Sequence, residues 1–201
     1  MFKTLTKRLF ASKPLADVVH NKPHKHIDKI RLFHGDILDH TDCDALVSFV
    51  SADLSLGGPL NKAYLAMAGE EMGDFIAERI IQPKPGEAFV IPAFNMPIKN
   101  IVLAVLPQWE DGLQNEDRQM LRCYRRAISQ SSEQGVKTLA FPALGFGQLN
   151  FPHIRFARFA IRGILDTLTD DVDEVRIVCK ERNMSEIYAK HLRKLGWENR
   201  V

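Results

Sequence analysis

The sequence predicts an α/β protein, a three-layer α/β/α fold around a central mixed, mostly parallel sheet. Three observations carry this expectation. From residue 29 onward, short apolar runs alternate with longer stretches of helical periodicity. Two of those runs, within residues 44–69 and 137–152, leave through a glycine-bearing loop and enter a helix, as strands do at the carboxyl edge of an open α/β sheet. The runs 88–92 and 100–106 are joined by a loop too short for a parallel crossover, so one pair is antiparallel and the sheet is mixed.

Residues 1–28 read as a basic N-terminal extension ahead of a single domain, 29–201. Lys3, Lys7, Arg8, Lys13, Lys22 and Lys25 face Asp17 as the only acid before Asp28. Phe2, Leu5, Leu9 and Phe10 fall at helical spacing opposite the lysines, the look of a surface anchor or a targeting peptide. A short arm packed on the domain, or frayed, is the preferred reading. His20, His24 and His26 have no carboxylate or cysteine cluster beside them, so a solvated loop accounts for them better than a metal site.

The first strand is expected at 29–34, ending in Gly35-Asp36-Ile37. The second, 45–50, is apolar with little alternation, the mark of a strand buried on both faces. Ser51 to Gly58 form a small polar turn, and Pro59 stands where a first helical residue belongs. The helix should run over 59–81 with a break at Gly69 or Gly73. Unpaired N–H groups and the helix dipole at such a start favour an anion, although an ordinary βα turn has the same pattern. Strands 88–92 and 100–106 follow, then a helix over 116–134 with Asn115 as N-cap and Glu116 and Asp117 in its first turn. Strand 137–142 leads through Gly145 and Gly147 to a helix over 153–169. Strand 174–180 precedes a last helix over 184–195, with Asn183 and Glu186 spaced for a capping box.

Composition excludes several classes. The 201 residues suffice for one domain with its own core. A net charge of +2 gives no strong global attraction to nucleic acid or membrane. Cys43, Cys123 and Cys179 are scattered and lack CxxC spacing, so they read as reduced, buried thiols in a cytoplasmic protein. No apolar run is long enough to span a bilayer. Arg118, Arg122 and Arg125, and likewise Arg155, Arg158 and Arg162, lie at helical spacing. Solvated faces with local ion pairs explain these rows better than a phosphate-binding stripe for nucleic acid.

From about Ile30 to the C-terminus the chain resembles a macrodomain, the ADP-ribose-binding module. Gly35-Asp36-Ile37 stands at that family's GDI motif, and Asp44-Ala45-Leu46-Val47 at its DAIV. Residues 48–69 align without a gap to its NAAN, glycine-run and AAG pattern. Pro142-Ala143, Gly147 and Pro152 fit its PA-x-x-x-G-x-x-x-x-P loop, and Val105-Leu106-Pro107-Gln108-Trp109 resembles its VGP-x-W segment.

The resemblance implies that Asp36 accepts a hydrogen bond from the adenine amino group and that the Ile37 N–H reaches a ring nitrogen. It implies diphosphate contacts from backbone amides of Gly57, Gly58, Gly145, Phe146, Gly147 and Gln148, and ribose contacts around Ser51, Leu149 and Phe151. It implies neither a metal nor a cofactor. The chain departs from the pattern in several places. Leu56 and Pro59 shorten the glycine run, Gly145-Phe146 replaces a small hydroxyl pair, and Leu149 replaces an aromatic. Ser48 and Ser51 replace the NAAN asparagines, and Asn61 replaces the acid of the family's hydrolases. Ser51 and Asn61 are thus the candidate catalytic positions, and a neutral Asn61 cannot act as a general base.

The expected function is binding of ADP-ribose or a related adenine nucleotide, free or carried on a protein or metabolite, as a reader or sequestering module. The alternatives are an ADP-ribosyl or ADP-ribose-ester hydrolase with non-standard residues, and an RNA- or protein-interaction domain.

Overall fold

A computed structural model describes residues 23–144 and 152–198. Six strands and five helices follow one another as β1 (Ile30–His34), β2 (Ala45–Val50), α1 (Pro59–Ala68), α2 (Glu70–Arg79), β3 (Ala88–Pro92) and β4 (Asn100–Val105), then α3 (Glu116–Glu133), β5 (Thr138–Pro142), α4 (His153–Leu165), β6 (Glu174–Cys179) and α5 (Arg182–Arg193). The sheet order is β1-β6-β5-β2-β4-β3. Only the β3–β4 pair is antiparallel. The expected mixed, mostly parallel sheet is what forms.

Burial separates two apolar cores. Ala45, Val47 and Phe49 of β2 pack with α3, α4 and α5, whereas Leu46 and Val50 pack with α1 and α2. All six residues of β2 are buried, which explains its unbroken apolar run. The helix after β2 and the helix after β5 therefore lie on opposite faces. That makes the β2–β5 boundary a topological switch point, where open α/β sheets bind ligands.

The expected long helix at 59–81 breaks at Gly69, which has φ 93° and on which a Cβ would sit 2.8 Å from Asn95 Nδ2. Gly73, the alternative break, lies inside α2. Neither predicted cap forms. Asn115 takes a left-handed conformation (φ 65°) and makes no side-chain cap. Glu116 takes over: its Oε1 accepts the N–H groups of Glu110 and Gly112, and Oε2 accepts that of Gln114 at 2.6 Å. The helix 182–193 starts two residues earlier than the sequence suggested, and Asn183 Oδ1 only accepts the neighbouring Met184 N–H. The capping box is absent because Asn183 already lies inside the helix.

Ahead of β1, the His24 N–H donates to Leu195 O at 3.2 Å, Ile27 is buried in the core, and Trp197 Nε1 donates to Ile30 O at 2.9 Å. Arg155 with Asp117 and Arg125 with Asp166 join α3 to the α4 region, and Arg162 pairs with Asp166 one turn along α4 itself. Three arginines of the two rows are thus engaged locally, as their spacing suggested. Among the described residues no helix is long and apolar enough to cross a membrane.

Candidate functional site

The site arises where β2 and β5 part. Their pairing covers Ala45↔Leu139 and Leu46↔Ala140 and then stops. Beyond it, the carbonyls of Val47 and Phe49 point to the β5 side with no strand partner, and buried carbonyls need one. Helix α1 supplies both donors: Tyr64 Oη donates to Val47 O at 3.2 Å, and Asn61 Nδ2 to Phe49 O at 2.9 Å. Ser48, wholly buried, donates from Oγ to Asn61 Oδ1 at 2.5 Å. These three bonds fix the N-terminus of α1 against the open end of the sheet. Helix α1 begins with Gly58 as N-cap and Pro59 in the first turn, with no side-chain cap.

Two neighbouring cavities flank this helix start. The first, of about 400 Å³, is lined by Asp36, Ile37, Pro59, Ala143, Leu144 and Lys180, among others. The second, of about 690 Å³, is lined by Ser51, Asp53, Ser55, Gly57, Gly58 and Gln108, among others. Phe49 and Asn61 line both, at the waist between them. An elongated ligand with an anionic centre fits such a shape, its charge meeting the N–H groups of the α1 start.

Asp36 closes the far end of the first lobe. It caps a short 3-10 turn, Ile37–Asp39, with Oδ1 accepting the Leu38 N–H at 3.1 Å. Its Oδ2 lies 3.5 Å from Lys180 Nζ, and 41% of the side chain stays exposed. Capping the turn and facing the cavity are therefore compatible. The Gly35 N–H is tied to Cys179 O at 3.0 Å, which sets the turn against the end of β6.

The structure brings Asp36, Ile37, Ser51, Gly57, Gly58 and Asn61 to one cleft. Gly145, Phe146, Gly147, Gln148, Leu149 and Phe151 lie outside the described residues; the flanking Ala143 and Leu144 line the first lobe. Asn61 has its amide committed at both ends, to Ser48 and to Phe49. It is a structural clasp, each end of its amide already holding a protein partner. Ser51 donates its hydroxyl proton to Asp53, and its Oγ lies 3.0 Å from Ser55 Oγ. Asp53, Ser55 and Lys180 are cavity residues that sequence reasoning passed over. The Ser-Ala-Asp-Leu-Ser run looks like any polar turn, and Lys180 like any surface lysine.

Glu116 works from behind. Only 1% exposed, it grips the backbone of the loop 107–115 that walls the second lobe. Burial pushes its carboxyl pKa up, but the backbone N–H groups of Glu116 itself, Glu110, Gly112 and Gln114 outweigh that and hold it below the ordinary value. On the same loop, Trp109 lies under the Arg155 guanidinium at 5.2 Å from the ring centroid.

Known proteins share this fold. A macro domain family model matches residues 47–160. A macro domain-containing protein of Caldanaerobacter subterraneus subsp. tengcongensis is 32% identical over 169 residues, covering 81% of this chain and 95% of the relative. An O-acetyl-ADP-ribose deacetylase of Escherichia fergusonii is 27% identical, over 85% of this chain and 98% of that protein. Among solved structures, the Trypanosoma brucei macrodomain in complex with ADP-ribose superposes with a TM-score of 0.69 at 22% identity, over 81% of this chain and 68% of that one. Its likeness shows the fold alone. The family model spans more than half of the chain and the first relative nearly all of its own length, so the chain belongs to the macro domain family.

Proposed function

We propose that the cleft binds ADP-ribose or a related adenine nucleotide, and that the protein acts as a reader or sequestering module for that ligand, free or attached to a protein or metabolite. One observation carries the reading: a two-lobed cleft at the β2–β5 parting, with the Asp36 carboxylate in one lobe and the N-terminus of α1 between the lobes. The adenine amino group meets Asp36, the diphosphate the amides around Gly57 and Gly58, and the terminal ribose the second lobe. Gly145, Phe146, Gly147, Gln148, Leu149 and Phe151 are the further contacts to phosphates and ribose that the family resemblance implies. The cysteines are three free, buried thiols, which supports a reducing compartment, the cytoplasm.

A hydrolase is the second reading, favoured by likeness to the Escherichia fergusonii deacetylase. Against it stands Asn61, neutral and held by Ser48 and Phe49 where a hydrolase of the family has its acid. Titration calorimetry separates binding from its absence. ADP-ribose should bind in the micromolar range, near −8 kcal/mol. Asp36→Ala, losing a charge-assisted hydrogen bond, should weaken it by roughly ten- to a hundredfold. No heat with wild type at millimolar ligand overturns the proposal.

A further inference from the structure

Asp53 stands in the second lobe, on the turn that also carries Ser51, and the nucleotide reading has so far given this acid no part. With a base at Asp36 and phosphates at the α1 N-terminus, whatever the ligand carries beyond the phosphates enters this lobe. Among the described residues Asp53 is the only acid lining it.

The turn that presents Asp53 is held by its own hydrogen bonds. The Leu54 N–H donates to Ser51 O at 2.9 Å, and Leu54 adopts φ 56°, a left-handed conformation rare for leucine. Its side chain packs against the α1–α2 core, which holds that conformation in place. Asp53 Oδ1 accepts both the Ser51 hydroxyl and the Ser55 N–H, the latter at 2.9 Å. The Ser51 hydroxyl beside it, with the Ser55 N–H, holds the carboxyl below its ordinary pKa, so it is ionised at neutral pH. An ionised carboxylate accepts only, at about four lone-pair sites. Two are used within the turn. Vicinal sugar hydroxyls offer two donors, and a carboxylate taking ribose hydroxyls is how dinucleotide sites read that sugar.

Asn61, neutral and already bonded to Ser48 and Phe49, is a weaker acceptor than Asp53. We infer that Asp53 recognises the free hydroxyls of a terminal sugar beyond the diphosphate and is the residue by which this cleft distinguishes ADP-ribose from ADP. The inference rests on the nucleotide reading above.

The test is calorimetry of ADP-ribose and of ADP with wild type, Asp53→Asn and Asp36→Ala. Wild type should prefer ADP-ribose by about tenfold, as a hydrogen bond to a charged group implies. Asp53→Asn should remove that preference and leave ADP binding within about twofold, which also shows that the variant is folded. Asp36→Ala should weaken both ligands together. Equal binding of the two ligands by wild type, or an Asp53→Asn variant that keeps the preference or loses both ligands alike, overturns the role of Asp53 while leaving the nucleotide site standing. Failure of wild type to bind either ligand overturns the nucleotide reading and this inference with it.

Discussion

Replacing Asn61 with aspartate puts a carboxylate where the resemblance places the acid of the family's hydrolases, and it should destabilise this protein. Asn61 is 7% exposed; Nδ2 donates to Phe49 O at 2.9 Å and Oδ1 accepts from Ser48 Oγ at 2.5 Å. A carboxylate keeps the second bond but turns a lone pair toward the Phe49 carbonyl, which has no strand partner on that side. Stranding a buried carbonyl and leaving a buried charge partly unpaired should cost about 2–4 kcal/mol at pH 7. Burial raises the folded-state pKa of the introduced carboxyl above the unfolded value of about 3.9. A raised pKa means that the folded state favours the protonated form, which can donate to Phe49. The deficit should therefore be small below about pH 4 and grow as pH rises through the folded-state pKa. Urea unfolding of wild type and Asn61→Asp at pH 4, 5.5 and 7 measures this, with an unchanged m-value as the check on two-state behaviour. A variant within about 0.5 kcal/mol of wild type at pH 7, or one whose deficit grows on acidification, would refute the clasp.

Two further outcomes follow from the packing and the charges. A Cβ on Gly163 would lie 2.7 Å from Tyr124 Cβ and 3.1 Å from Leu121 O, so Gly163→Ala forces α3 and α4 apart. Overpacking of about 1–3 kcal/mol outweighs a helix-propensity gain of at most about 1 kcal/mol, and differential scanning calorimetry should show a lower Tm. Asp44, at the start of β2, opposes the upward push of burial through Lys99 Nζ at 2.6 Å and the N–H groups of Lys137 and Thr138, and its carboxyl is held below the ordinary value. A depressed pKa contributes stability above the unfolded value that is lost as pH falls through the folded value. Asp44→Asn should therefore lose less stability than wild type on acidification below pH 4 in pH-dependent urea unfolding, and an equal acid limb in both would remove Asp44 from that role.

How much of this was legible in the sequence depended on the reach of each interaction. Strand positions were readable because β2 and β4 bury both faces, which leaves unbroken apolar runs such as Ile101 to Leu106. The break after α1 was readable to within one glycine, since a backbone turn there needs φ > 0, but choosing Gly69 over Gly73 required knowing that Asn95 packs against it. The two caps were misjudged for a similar reason. Asn115 and Asn183 have the right chemistry locally, yet the loop 107–115 needed an acid for its own amides, and Glu116 was drawn inward to supply it. Asp36, Ser51, Gly57 and Gly58 lie at motif positions, and all four line the cavities. The role of Asn61 was not foreseeable, because it depends on where β5 leaves β2 and which carbonyls are orphaned there. Asp53 belongs to no motif; only the cavity makes it stand out.

The most direct test of the nucleotide cleft is a two-dimensional amide NMR titration of isotope-labelled protein with ADP-ribose. Binding as proposed should shift the amides of Ile37, Leu38, Gly57, Gly58 and Asn61 together, with one saturation curve, from both lobes of the cleft. Shifts confined to one lobe, or to the arginine faces of α3 and α4, or no shifts at millimolar ligand, would contradict it.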